Sequence, residues 1–167
     1  MDATITKPPG ELVFASLAEL YEHFHMLFIG KEFRCPRGTS IFITPHHFFH
    51  LVKLQKGSQT EFTVEVEETL IKDTKQGFGE YTIDTSRAQR LSWIPEILTE
   101  PHGIWEFYKK KTADEVFLRE YDKSGSAFRA VLLKREQGHL RIVTCMPMRR
   151  RAAVDLHGRG EKLWPKK

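Results

Sequence analysis

Three of the eight histidines of this chain, His46, His47 and His50, fall within five positions. An imidazole exchanges its proton near neutral pH, so a histidine beside a cation is suited to acid–base chemistry in which anionic charge develops. If a helix begins at Pro45, then His46, His50 and Lys53 share one of its faces. The spacing therefore indicates a polar stripe with catalytic potential.

Two other interpretations of these histidines stay open. Exposed or helix-capping histidines are common on protein surfaces and need have no catalytic role. Histidines four residues apart can also share a zinc ion, but the HExxH motif is missing, and no neighbouring cysteine or acidic residue completes a ligand set. The sequence therefore predicts no metal and no other cofactor.

Later segments supply a second set of polar candidates. Strand alternation puts Arg119 and Tyr121 on one face of a predicted strand, where they are expected to line one groove. The alternative is an exposed, ion-pairing arginine with a tyrosine at the rim. On the last predicted strand, Thr144 follows Leu140 and Ile142 in the same-facing register, so its hydroxyl either bonds a neighbour or meets a ligand.

The basic charge of the chain is concentrated at one end. Residues 147–167 hold seven Lys and Arg against two Asp and Glu, whereas the whole chain has 26 against 22. Arg149, Arg150 and Arg151 suit phosphate contacts, although such a run is also typical of a solvated tail or a partner patch. A polyanion-attracting field over the whole surface is not expected. No Gly-rich phosphate loop, GxSxG elbow or kinase signature supports the usual nucleotide-dependent or serine-hydrolase classes.

Hydrophobic periodicity predicts the helices that would position these residues. Ser16 has capping-box spacing before a predicted helix over 17–29, and Thr44-Pro45 begins another that runs to about Gln55. A third is expected from about Asp84 to Leu98, bent or divided at Pro95. The segment 60–85 fits a helix or a strand, and its seven acids against two lysines make it a poor surface for a nucleic-acid backbone.

Short strands dominate the rest of the chain, with the predicted ranges 40–44, 104–109, 116–121, 127–135 and 140–146. The breaks at 122–125 and 136–138 are short enough for hairpins, which favours an antiparallel meander. Helices followed by strands indicate an α+β fold, and the length favours a single domain over 1–147 with a loosely held basic tail over 148–167.

Two further expectations concern the cellular setting. No apolar stretch is long enough to span a bilayer and no basic-then-apolar leader is present, so we expect a soluble, cytoplasmic protein without a membrane partner. Cys35 and Cys145 lie 110 positions apart without a CxxC or CxxH motif, which predicts two ordinary free thiols.

These segments, taken together, resemble the PBECR group of phage-associated nuclease domains in the barnase, EndoU, colicin and RelE-like superfamily. The matching pieces are IFIT at 41–44, HFFHLVKL at 47–54, RAQRLSWIP at 87–95 and RIVT at 141–144. The resemblance covers roughly residues 40–147. It implies N-terminal helices packed on a twisted C-terminal antiparallel sheet. The group often has glycine where this chain has Lys53.

The resemblance also implies an activity, metal-independent RNA cleavage by a toxin or effector, with tRNA as one candidate target. Carried over by position, the catalytic candidates are His50 as base or acid, Arg87 and Arg119 as stabilisers of phosphorane charge, and Thr144 as a positioning group. The 2′-hydroxyl attacks the adjacent phosphorus, so DNA would not be cut. The substrate-binding candidates are His46, Lys53, Tyr121, Arg149 and Arg150. Whether an immunity or antitoxin protein exists stays open.

Two other functions remain alternatives. A non-catalytic RNA- or protein-binding member of the same fold would use the basic end and the sheet face to hold its partner. An inhibitor or accessory protein from a mobile element would use the acidic 60–85 segment as its interaction surface.

Overall fold

The computed structural model describes residues 9–56, 67–68, 81–109, 111–121 and 128–165. The chain groups into two compact units. We call 11–31 with 42–92 the helical unit, and 1–10 with 32–41 and 93–167 the sheet unit. The single domain expected over 1–147 stays a prediction, and the 60–85 segment lies outside the described residues except at 67–68 and 81–85.

In chain order the elements are α1 (Leu17–Phe28), β1 (Glu32–Arg34), β2 (Ser40–Phe42), α2 (Pro45–Val52), β3 (Gln55–Lys56), β4 (Tyr81–Thr82), α3 (Thr85–Gln89), a 3-10 turn (Arg90–Trp93), α4 (Ile94–Thr99), β5 (Gly103–Glu106), β6 (Glu115–Glu120), β7 (Phe128–Glu136), β8 (His139–Met148), α5 (Arg150–Arg159) and β9 (Lys162–Trp164). The fold class is α+β, as predicted. Helices predominate in the N-terminal half, and an antiparallel sheet occupies the C-terminal half.

Aromatic packing joins α1 to α2 in the helical unit. The Ser16 side chain caps α1 by accepting the Glu19 N–H at 3.1 Å, which confirms the predicted helix start. Tyr21 and Phe24 are buried on α1, and the ring of Phe48 from α2 lies 4.9 Å and 5.2 Å from theirs, centre to centre. These contacts bury one face of α2 and leave its opposite, polar face to solvent.

The helix predicted over 84–98 is divided, as its proline suggests. The Asp84 carboxylate caps α3 by accepting the Arg87 N–H at 3.1 Å. The 3-10 turn then separates α3 from α4, and Pro95 stands in the first turn of α4. Proline is tolerated there because that position has no intrahelical hydrogen bond to lose.

Five antiparallel strands form the main sheet, in the order β8-β7-β6-β5-β9. The predicted strands of the C-terminal half are confirmed within a few residues of their limits. Gln137 and Gly138 close the β7–β8 hairpin with positive φ angles of 48° and 80°, which suits the twist of a two-residue turn. The hairpin predicted at 122–125 lies outside the described residues.

The two faces of this sheet carry different helices. Val116, Leu118 and Leu132 point to the face covered by α5, where they pack with Ala153 and Leu156. We call this the α5 face. The alternate residues of β6 and β7 point to the other face, where α4 contacts both strands. We call that the α4 face.

The C-terminal segment differs from the loose tail expected over 148–167. Residues 150–159 form α5, and β9 pairs with β5 through Trp164 opposite Ile104. Ala153 and Leu156 are three positions apart and both are 1% exposed, so this short apolar stripe anchors a helix that is otherwise strongly basic.

The structure also bears on the two cysteines and on membrane-spanning helices. Cys35 and Cys145 are both free and buried, as expected. Among the described residues, no helix is both long and apolar enough to cross a bilayer.

Candidate functional site

The end of α2 and the start of α3 lie side by side in the helical unit. The Asp84 N–H donates to the Val52 carbonyl at 2.8 Å, which ties the N-cap of α3 to the last residue of α2. The short β3–β4 pair, with Gln55 opposite Thr82, also joins the residues just after α2 to those just before α3. This connection sets two candidate residues, His50 and Arg87, next to each other.

Arg87 lies against the last turn of α2, which carries His50. Its Nη1 is 3.5 Å from the carbonyl oxygen of His50, and its Nε is 3.8 Å from an Asp84 carboxylate oxygen. Basic side chains at helix C-termini commonly interact with the last carbonyls, so this contact also has a structural purpose. A guanidinium has five N–H donors, and Arg87 is 25% exposed, so it can also contact an anion.

The other polar residues of α2 divide into an exposed group and a cap. His46, His50 and Lys53 are all exposed. His47 is half-buried, and its Nδ1 accepts the Thr44 N–H at 2.8 Å. The capping interpretation is therefore correct for His47. The α2 site, which we define as His46, His50, Lys53 and Arg87, combines imidazoles with cations and suits proton transfer near an anion.

Arg119 and Tyr121 lie on the α4 face, as alternation predicts, but they line no open groove. Their exposed fractions are 1% and 2%. Arg119 Nη2 pairs with Glu96 of α4 at 3.1 Å, and its Nη1 donates to the Glu100 carbonyl. The Tyr121 hydroxyl donates to Glu96 at 3.3 Å. The alternative of an exposed, ion-pairing Arg119 is right about the pairing and wrong about the exposure.

A β-bulge changes the direction in which Thr144 points. Leu132 is opposite Thr144 and the next residue, Leu133, is opposite Ile142, so Val143 is an extra residue in β8. Thr144 therefore shares the α5 face with Leu132, while Ile142 points to the α4 face. The same-facing register expected for Thr144 and Ile142 is wrong, and Arg119 and Thr144 lie on opposite faces of the sheet. These two residues do not converge.

A basic groove of about 730 Å³ lies beside α5 in the sheet unit. Its walls include Tyr108 and Lys109 just after β5, Met146 near the end of β8, and Arg149 with Arg151 at the start of α5. We call it the α5 groove. The Tyr108 ring is 40% exposed, and the Lys109 ammonium lies 5.7 Å from its centre.

Further along α5, Arg159 also lines the groove, and its Cζ lies 5.8 Å from the Tyr108 ring centre. The carboxylate of Asp155 is within the groove as well and pairs with Arg159 at 2.9 Å. Four cationic side chains and one exposed aromatic ring thus line the same groove. Arg150, in contrast, is exposed but is not part of the groove wall.

Sequence analysis found Arg149 but missed Tyr108, Lys109 and Arg159 as members of this groove. The sequence does contain a signal for part of this groove, a tyrosine followed by three lysines (YKKK at 108–111). A search for aromatic residues next to basic ones would have found it. Arg159 carries no such signal, because only the winding of α5 brings it to the same wall.

Comparison of the chain with protein-family models, with curated proteins and with solved structures finds no match. Among the described residues, no cluster of three or more His, Cys, Asp or Glu side chains has the arrangement of a metal site.

Proposed function

We propose that this protein is a metal-independent endoribonuclease that cleaves RNA by attack of the ribose 2′-hydroxyl. The observation that carries the proposal is the position of Arg87 beside His50, 37 residues away in sequence but joined through the α2–α3 connection. The partly exposed guanidinium contacts the main chain of a histidine whose side chain is exposed. Phosphoryl transfer needs these two groups, one to move a proton and one to stabilise the growing phosphate charge.

In this reaction the base takes the proton of the 2′-hydroxyl, and the resulting oxyanion attacks the adjacent phosphorus. The bond from phosphorus to the 5′ oxygen breaks, and that oxygen receives a proton from an acid. The products are a 2′,3′-cyclic phosphate and a free 5′-hydroxyl. His50 acts as the base or the acid, and Arg87 stabilises the phosphorane charge. His46 and Lys53, both exposed, bind neighbouring phosphates.

The test is incubation of the purified protein with total RNA in excess EDTA, compared with the His50→Ala variant. We expect cleavage with cyclic-phosphate ends by the wild type and a loss of about 10²-fold or more in the variant. Single-stranded DNA should stay intact, because it lacks the attacking hydroxyl. His50 is exposed on a helix whose opposite face is buried, so His50→Ala should keep its fold.

A matched control is His139→Ala, which removes an exposed histidine from the β7–β8 hairpin. It should cleave like the wild type. RNA that stays intact with the wild type, or equal activity in His50→Ala, would refute the proposal.

The α5 groove favours one second candidate, a binding module that holds nucleic acid without cutting it. The groove is not lined by His50, so binding of nucleic acid there does not require the imidazole. Salt-sensitive binding of RNA that is never cleaved, unchanged in His50→Ala, would favour this candidate over the nuclease.

A further inference from the structure

We propose that the α5 groove is a binding site for a single polynucleotide strand, in which Tyr108 stacks on a base and the surrounding cations contact phosphates. If the protein is the ribonuclease proposed above, that strand is its RNA substrate, and the groove contributes to RNA binding and not to the chemical step. The inference rests on the proposed function only for the identity of the strand.

Charge is the first argument for this ligand. Lys109, Arg149, Arg151 and Arg159 line one groove, and its acid, Asp155, is already paired with Arg159. Arg149 is the N-cap of α5 and Arg151 lies in its first turn, where the helix dipole disfavours cations. Phosphates seated among these arginines would offset both their mutual repulsion and the dipole.

The aromatic ring is the second argument, because it selects a single strand. Tyr108 is 40% exposed, and the Lys109 ammonium and the Arg159 Cζ lie over its ring, 5.7 Å and 5.8 Å from the centre. Both cations are at the ends of long side chains, so a base that stacks on the ring displaces them toward its own phosphates. Bases in a duplex are stacked on each other and present no free face to such a ring. The groove, of about 730 Å³, is within the size range of ligand-binding pockets.

An anionic membrane fits this surface less well. An amphipathic helix binds lipid by inserting its apolar face, but the apolar residues Ala153 and Leu156 of α5 are buried against the sheet. Met146 and Val154 are 38% and 63% exposed, yet they lie in the wall of a concave groove together with the cations.

The test measures binding of a fluorescein-labelled ten-residue oligothymidylate by anisotropy over a range of salt concentrations. This probe lacks the 2′-hydroxyl and is not a substrate for the proposed cleavage. The variants are Arg149→Glu with Arg151→Glu, Tyr108→Ala and Tyr108→Phe. The matched control is Lys31→Glu with Arg34→Glu, which changes net charge equally at two exposed residues outside the groove.

We expect the double arginine variant to bind about tenfold more weakly or worse and to lower the slope of log K against log salt by about 1.4. Its melting temperature should not fall, because acidic residues are favoured at a helix N-terminus. Tyr108→Ala should lose about fivefold or more in affinity, while Tyr108→Phe keeps its stacking ring and the wild-type affinity. The control should bind like the wild type.

If the Lys31→Glu, Arg34→Glu control binds the oligonucleotide as weakly as the double arginine variant, the groove is not the binding site. The proposal is also overturned if duplex DNA binds as tightly as the single strand. The same holds if phosphatidylserine vesicles bind and compete with the oligonucleotide at the groove, or if the wild type shows no binding. Binding of oligothymidylate without any RNA cleavage supports the groove and overturns only the nuclease. Cleavage of RNA with no effect of the groove variants on binding overturns only the groove.

Discussion

At the scale of residues, environment separates arginines that sequence analysis treats alike. Arg87 is 25% exposed beside the carbonyl of His50, whereas Arg119 is 1% exposed between β6 and α4. Both were expected to stabilise phosphorane charge. The buried guanidinium already has a carboxylate and a carbonyl as partners, so its contribution is to hold α4 on the sheet.

We predict that Arg119→Met lowers the stability of the protein without removing its chemistry. The variant loses the hydrogen bond to the Glu100 carbonyl and the pair with Glu96, while the stem of the side chain still fills its space. Charged hydrogen bonds of this kind contribute about 1–3 kcal/mol. Urea unfolding should show a loss of that size, and RNA cleavage per folded molecule should match the wild type. An active-site role would instead appear as lost cleavage with unchanged stability.

At the scale of elements, the end of α2 has a residue whose backbone conformation costs stability. Lys53 ends the helix with φ 52° and ψ 52°, and its N–H donates to the Phe49 carbonyl. This left-handed conformation is easy for glycine and strained for lysine. Lysine at this position gives the chain an exposed cation three residues after His50.

We therefore predict opposite effects of Lys53→Gly on stability and on RNA binding. The variant relieves backbone strain and should raise the free energy of unfolding by up to about 1 kcal/mol. It also removes one cation from the α2 site, so RNA affinity should fall and its salt dependence should weaken. Lys53→Ala is the control, because it loses the charge and keeps the strain. A glycine variant no more stable than the alanine variant would show that the strain is absent.

The same elements show which parts of this fold can be predicted from sequence. The apolar residues of α1 recur every three to four positions, and β7 is a short apolar run that ends at a turn. These local patterns are enough to predict a helix and a strand. The bulge at Val143 depends on pairing with β7, and it reverses the expected direction of Thr144. Helix α5 lacks a long apolar pattern, because among its described side chains only Ala153 and Leu156 are buried. The sequence predicts His50 and Arg87 as site residues, but it does not predict that Tyr108 and Arg159 line one groove.

At the scale of the whole molecule, each compact unit buries one tyrosine against a carboxylate. In the helical unit, Tyr21 donates a hydrogen bond to Glu67, and in the sheet unit Tyr121 donates to Glu96. Burial raises the pKa of both phenols above the ordinary value, and the nearby carboxylates raise it further. Both phenols therefore keep their protons in the folded protein under conditions in which an unfolded chain would lose them.

This difference predicts that alkaline pH destabilises both units. Below about pH 10 the tyrosines are protonated in either state, and the stability that they contribute is fully present. As pH rises further, the unfolded chain releases its phenolic protons while the folded chain retains them, so the free energy of unfolding falls by up to about 1.4 kcal/mol per pH unit for each tyrosine. Tyr21→Phe and Tyr121→Phe should each flatten that decline, measured by urea unfolding between pH 8 and pH 11, although each loses its hydrogen bond at neutral pH. Lysines titrate in the same range, but they do so equally in the wild type and the variants. If the free energy of unfolding falls with pH as steeply in a variant as in the wild type, the fold does not keep that phenol protonated.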